Sequence, residues 1–137
     1  MRESRRVAWL LLVVLCPTVT PVTARADQVD GHRVTYTVTA TDAVVADIYL
    51  RETDPPSWAD YSHDPYLYSP KFDAVMDAGQ SWSRDVVLSD PQRWAMVSVI
   101  GRSSAASLGF HCELAVDGVV VARGEGSKGA LCSVRHW

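Results

Sequence analysis

Asparagine is absent from this chain, lysine occurs twice, cysteine three times, and no apolar run exceeds ten residues. Each shortage excludes something. Without asparagine there is no acceptor for an Asn-linked glycan. A run of ten falls well short of the roughly 20 predominantly apolar residues that a membrane-spanning helix needs. With 13 Lys+Arg against 16 Asp+Glu the chain carries a net charge of −3, which offers no basic face to nucleic acid. Eleven of those 13 cations are arginine, a bias that fits a GC-rich bacterial genome. At 137 residues there is room for one domain and a short extension.

The first 26 residues have the form of an export signal. Arg2, Arg5 and Arg6 precede the apolar run Val7 to Cys16, and Ala24-Arg25-Ala26 supplies a small-x-small cleavage pattern. The expectation is a signal peptide over 1–26, cut after Ala26, and a secreted or envelope domain over 27–137. Membrane contact then follows only if the N-terminal segment is retained. Cleavage removes four of the 13 cations and one of the 16 acids, leaving 9 against 15 and a net charge of −6. Such a domain has no electrostatic reason to sit on an anionic membrane surface.

Alternation of period 2 dominates after Gly31. His32 to Ala40 sets Val34, Tyr36 and Val38 against Arg33, Thr35 and Thr37, using residue types that suit a pleated, half-buried surface. Val44 to Arg51 places Ala46, Ile48 and Leu50 on one side and Asp47, Tyr49 and Arg51 on the other. Trp82 to Leu88 follows, then Trp94 to Gly101, apolar on both faces and therefore expected at the centre of a sheet. Leu108 to Val116, Val119 to Gly124 and Gly129 to Arg135 complete seven strands. No segment after the signal sustains a 3.6 period. The pattern predicts an all-β fold, a β-sandwich burying the inward residues between two sheets.

Residues 53–81, "TDPPSWADYSHDPYLYSPKFDAVMDAGQS", break the rhythm with four prolines and five aspartates. Proline bars the segment from a central strand. A connection this long is often functional. Its rings, Trp58, Tyr61, Tyr66, Tyr68 and Phe72, are either a cap on one end of the sandwich or a partner and ligand surface.

The closing stretch, "FHCELAVDGVVVARGEGSKGALCSVRHW", raises several questions. Asp117-Gly118 tolerates the positive φ values of a tight hairpin turn. Cys112 and Cys132, the two cysteines left after cleavage, are expected to pair in an oxidising compartment. Their bridge closes a loop of 21 residues, counted inclusively, for which chain entropy gives roughly 3 kcal/mol. "GEGSKG" matches GxGxxG, but a dinucleotide site needs a strand before it and a helix after it; here both flanks read as strands. Ser127-Lys128 lacks the spacing of a Ser-x-x-Lys pair. His63 with Asp60 and Asp64, and His111 with His136, lack a recognised metal-ligand spacing. No nucleophile elbow or assignable carboxylate pair is present. The expectation is a non-catalytic protein without metal or cofactor.

Three segments in one order carry a resemblance: "HRVTYTVTATDAVVADIYL", "SWS" at Ser81 to Ser83, and "CELAVDGVVV…GALC". Together they resemble the small mycobacterial membrane proteins, the MmpS family. The resemblance implies an immunoglobulin-like sandwich of about seven strands with Cys112 bonded to Cys132. It also implies an accessory role for an MmpL-type lipid or siderophore exporter of the RND class, with that transporter or its lipid-like cargo as partner. The alternative from another class is a secreted effector or protease-inhibitor-like protein, presenting residues 53–81 as a rigid loop to a foreign protein.

Overall fold

A computed structural model describes residues 30–104 and 108–136. The expected signal segment over 1–26, and Cys16 within it, lie outside the described residues. Among the described residues no helix is long and apolar enough to cross a membrane.

The fold is a β-sandwich of two four-stranded antiparallel sheets. The chain runs β1 (His32–Ala40), β2 (Val44–Leu50), α1 (Trp58–His63), α2 (Pro65–Tyr68), β3 (Lys71–Met76), β4 (Ser81–Leu88), α3 (Pro91–Trp94), β5 (Met96–Gly101), β6 (Phe110–Val116), β7 (Val119–Gly126) and β8 (Gly129–Ser133). Sheet A has the order β4-β1-β6-β7, and sheet B the order β3-β2-β5-β8. The alternation in the sequence explains the layering. Val34, Tyr36, Val38 and Ala40 of β1 face Ala46, Ile48 and Leu50 of β2 across one core, joined by Val97, Val99, Phe110 and Leu114, all essentially inaccessible. β5, apolar in sequence, is indeed internal to its sheet, between β2 and β8.

Cys112 of β6 and Cys132 of β8 form a disulfide with a Cα–Cα distance of 6.0 Å. Because β6 belongs to sheet A and β8 to sheet B, the bond staples the two layers together. At the β6–β7 hairpin, Asp117 and Gly118 adopt φ of 50° and 81°, the geometry for which an Asp-Gly pair is suited.

The GxGxxG string is explained by close backbone approach. A side chain at Gly124 would place its first carbon 2.4 Å from the Leu131 carbonyl oxygen and 3.2 Å from Cys112 Sγ. The glycines let β7 and β8 close on one another beside the disulfide. Strand continues to Gly126, and the turn is confined to Ser127 and Lys128.

Three expectations need correction. Residues 53–81 are not a structureless loop: they hold α1, α2 and an eighth strand, β3. β3 starts immediately after Pro70 and occupies the edge of sheet B, a position that proline permits. Trp94 is not in β5 but closes α3, a single turn capped by Asp90, whose carboxylate accepts from the Arg93 amide at 3.1 Å. Arg51 does not continue the outward alternation of Asp47 and Tyr49. The strand ends at Leu50, and Arg51 is wholly buried.

Candidate functional site

The residues that bury Arg51 also build the most distinctive surface of the molecule. β2 and β3 are neighbours in sheet B, yet residues 51–70 lie between them and fold back as a cap. Local chemistry shapes that cap. Ser57 accepts the Asp60 amide at 3.1 Å as N-cap of α1. Asp64 ends α1 and accepts the Leu67 amide at 3.3 Å as N-cap of α2, where Pro65 sits at the first helical position. The Glu52 amide donates to the Tyr68 carbonyl at 3.0 Å, returning the end of α2 to the end of β2. Asp54 ties the same segment to the opposite strand end, accepting the Ser89 and Asp90 amides at 2.7 and 2.9 Å.

Under the cap lies an aromatic cluster. The rings of Trp58 and Trp94 are 4.4 Å apart, and Tyr61 is 5.9 Å from each. The Arg51 guanidinium carbon sits 4.1 Å from the centre of the Tyr61 ring and 5.5 Å from Trp94. Arg51 Nε donates to the Trp94 carbonyl at 3.1 Å, and Nη1 donates to Ser69 Oγ at 2.7 Å. Nη2 is buried with no hydrogen-bond partner, and among the described residues no carboxylate forms an ion pair with Arg51. The cation is held by ring faces, one carbonyl and one hydroxyl. A buried guanidinium without a counter-charge is costly, since desolvation of an ion is only partly offset by such contacts.

Ser69 and Tyr61 then form part of a surface cleft of about 360 Å³ between the cap and the outer face of sheet B. Its other walls are Tyr49, Pro65, Tyr66, Met96, Ser98 and Ile100, so no acidic residue lines it. Tyr66 is 68% exposed and stands 5.9 Å from Tyr49 across the opening. Leu67, Ile100 and Leu131 extend the exposed apolar surface over α2, β5 and β8. Leu131 pairs with Ser98, which pairs with Tyr49, and Ile100 lies two residues along β5, opposite Asp47 and Gly129.

Two other concavities differ in chemistry. One of about 540 Å³ on the outer face of sheet A is lined by Thr37, Thr39, His111, Glu113, Arg123 and Glu125 among others, and its charges pair with each other. Another of about 640 Å³ lies at one end of sheet B, beside Val45, Val75, Asp77 and Arg102. On the neighbouring surface Lys71 and Arg102 are paired with Asp47 and Asp73.

The five rings singled out in the sequence separate into four groups. Trp58 and Tyr61 are half-buried and packed against the core. Phe72 faces inward on β3, 6.0 Å from Trp82 and under the Arg84 guanidinium at 4.4 Å, at the corner between β3 and β4. Tyr68 is half-buried at the end of α2. Tyr66 alone of the five is exposed, and only Tyr61 and Tyr66 line the cleft. The remaining wall residues carry no motif: Pro65 and Ser69 belong to the cap, and Tyr49, Met96, Ser98 and Ile100 are positions of β2 and β5 recognisable only once the cap is placed above them. Asp60 and Asp64, weighed with His63 as metal ligands, are engaged in capping α1 and α2. Among the described residues no group of three His, Cys, Asp or Glu side chains is placed to hold a metal ion.

A family model described as the Rv2576c beta-sandwich domain matches residues 36–132, which run from the middle of β1 to Cys132 in β8. The chain belongs to the Rv2576c β-sandwich family. Its relatives include the uncharacterized protein Rv2576c of Mycobacterium tuberculosis (strain ATCC 25618 / H37Rv) and the uncharacterized protein Mb2606c of Mycobacterium bovis. Each is 40% identical over 119 residues, covering 87% of this chain and 76% of the relative.

This match overturns the resemblance to the MmpS family. The segments that carried that resemblance are ones that a sandwich can use whatever its family. A β-branched first strand, an Asp-Gly hairpin and a cysteine pair across the sheets satisfy general requirements of pleat, turn and stapling. The expectation of an MmpL-type transporter as partner came with that resemblance and had no separate support.

Proposed function

We propose that this Rv2576c-family domain is an exported, non-catalytic binding domain of the mycobacterial cell envelope. It engages its partner through the cap and the outer face of sheet B. The observation that carries this reading is the asymmetry of the two outer faces. Sheet A also exposes apolar side chains, Val87 on β4 and Val119 and Val121 on β7, but on its two edge strands, and its concavity is lined by threonines and mutually paired charges, whereas the cap side of sheet B presents Tyr66, Leu67, Ile100 and Leu131 to solvent around an apolar-walled cleft. An exposed apolar patch with a polar rim is a common form of an interaction site. Tyrosine is among the residues that contribute most at such sites.

Export is supported by the inter-sheet disulfide, since such bonds persist in oxidising compartments, and by the signal-like first 26 residues. The inhibitor-like alternative relied on residues 53–81 as a rigid exposed loop. Those residues fold into two helical turns and a strand, so binding by a formed surface is preferred.

The test compares the purified protein with a Tyr66→Ser/Leu67→Ser/Ile100→Ser triple variant, each immobilised and exposed to detergent-solubilised mycobacterial envelope. Retention of an envelope component by the wild-type protein, lost in a folded triple variant, supports the proposal. Equal retention by both contradicts it.

A further inference from the structure

We infer that the cleft beneath the cap takes an apolar ligand with an anionic head group, a carboxylate seated at Ser69 in front of the buried Arg51. The inference rests on the binding surface proposed above and names what its cleft would hold. Three observations converge on it.

The first is the unbalanced cation. Arg51 is fully buried, its Nη2 has no hydrogen-bond partner, and no carboxylate pairs with it among the described residues. Asp54, whose charge is felt at the neighbouring Tyr36 phenol, has both oxygens engaged by the Ser89 and Asp90 amides.

The second is how that charge reaches the cleft. Ser69 Oγ accepts from Arg51 Nη1 at 2.7 Å, and no other hydrogen bond to that hydroxyl is made among the described residues. Ser69 is only 5% exposed, yet it forms part of the cleft wall. A hydroxyl has one proton to donate besides the lone pairs it offers. Accepting from a guanidinium polarises it, so its own O–H becomes a stronger donor toward an incoming anion.

The third is the wall. In a chain of net charge −3, the cleft has no acidic lining residue, and Tyr49, Tyr66, Met96 and Ile100 give it apolar sides. A volume of about 360 Å³ holds about a dozen methylene- or water-sized groups at ~30 Å³ each. That lies at the small end of the ligand-site range. A short acyl chain with its carboxylate toward Ser69 fits these limits. A cation would be repelled by the Arg51 charge behind Ser69.

The test titrates the purified protein with decanoate, 1-decanol and decyltrimethylammonium at matched submicellar concentrations, followed by the backbone amide resonances. The expected result is decanoate bound at least tenfold more tightly than decanol, with the largest shifts at Ser69, Tyr66 and Ile100, and no binding of the cation. Ser69→Asp places a carboxylate beside Arg51 from within the protein. It should reduce decanoate affinity at least tenfold and leave decanol unchanged. Should that variant not fold, Ser69→Ala removes the donor and should act in the same direction. Ile100→Asp should weaken both ligands.

Equal affinity for all three amphiphiles, shifts confined to sheet A, no binding, or decanoate affinity unaffected at Ser69 would each overturn the inference. Loss of the head-group preference while the envelope component is still retained through Tyr66, Leu67 and Ile100 would remove this inference alone. Loss of that retention would remove the broader reading.

Discussion

The hydroxyl of Tyr36 donates to the backbone carbonyl of Arg51 at 2.9 Å, through the core and from one sheet to the other. Tyr36 lies on β1, internal to sheet A, and Arg51 directly follows β2, internal to sheet B. The same residue whose side chain anchors the cap is therefore fixed through its main chain by the sandwich beneath.

Replacing Tyr36 with Phe should lower stability by about 1–2 kcal/mol, because the Arg51 carbonyl loses its buried partner while ring packing is kept. The pH dependence should change as well. Burial pushes the Tyr36 phenol well above the ordinary tyrosine value. A group raised in the folded state adds stability that is full below its unfolded value, about 10, and is lost as the pH rises beyond it. Alkaline denaturation should begin near pH 10 in the wild-type protein and be visibly flatter in Tyr36→Phe, read by circular dichroism.

Removing the staple should be more damaging. A Cys112→Ala/Cys132→Ala variant loses the bond that joins β6 to β8 across the sheets, at a cost of about 2–5 kcal/mol. For a domain of this size that lowers the melting temperature by roughly 10 °C or more. Calorimetry of the oxidised, reduced and double-alanine forms should place the last two together, well below the first.

At Arg51 filled volume should matter more than charge. Arg51→Ala opens a cavity under Tyr61 and Trp94 and should cost about 3 kcal/mol or more. Arg51→Met fills much of that space without a buried, unpaired charge, and should cost less than half as much in urea denaturation. If Arg51→Met costs as much as Arg51→Ala, the guanidinium's contacts with the Trp94 carbonyl, Ser69 and the Tyr61 ring, and not the space it fills, stabilise the site.

Acid sensitivity should come from three surface carboxylates. Hydrogen bonding from Arg102 holds Asp47 below the usual carboxylate value; the Thr35 hydroxyl and then Arg33 do so for Asp85; the His32 ring and then the Arg33 amide do so for Asp117. A carboxylate depressed in the folded state adds stability that is full above its unfolded value, about 4, and is lost as the pH falls through the native value. Melting temperature should therefore decline below pH 4. Asp47→Asn and Asp117→Asn should each lower it at pH 7 and leave it nearly unchanged at pH 2. All three pairs are solvent-exposed, so high salt should blunt the effect.

How much of this was legible in the sequence depends on which physical signal each element uses. Strands that bury one face announce themselves: Val34-x-Tyr36-x-Val38 and Ala46-x-Ile48-x-Leu50 state both the period and the inward side. The Asp117-Gly118 turn and the cysteine pair were equally open, because each follows from local chemistry. β3 was hidden because it has only three inward residues, Phe72, Ala74 and Met76, directly after a proline. α1 and α2 span six and four residues, too short for a helical period to register. The site was less legible still. Arg51 reads as an outward strand residue until the cap folds over it, and Ser69, Ser98 and Ile100 have no signature of their own. Trp58 and Phe72 drew notice as aromatic residues in a proline-rich segment, but the fold turns them inward.

The most direct measurement is site-specific photocrosslinking in a mycobacterial host. A photoreactive residue is placed at position 66, at the mouth of the cleft, or at position 111, on the exposed outer face of sheet A. The expected result is a discrete adduct from position 66, absent from position 111 and lost when Ile100→Asp is added. Adducts of equal yield from both positions, or from position 111 alone, would contradict it.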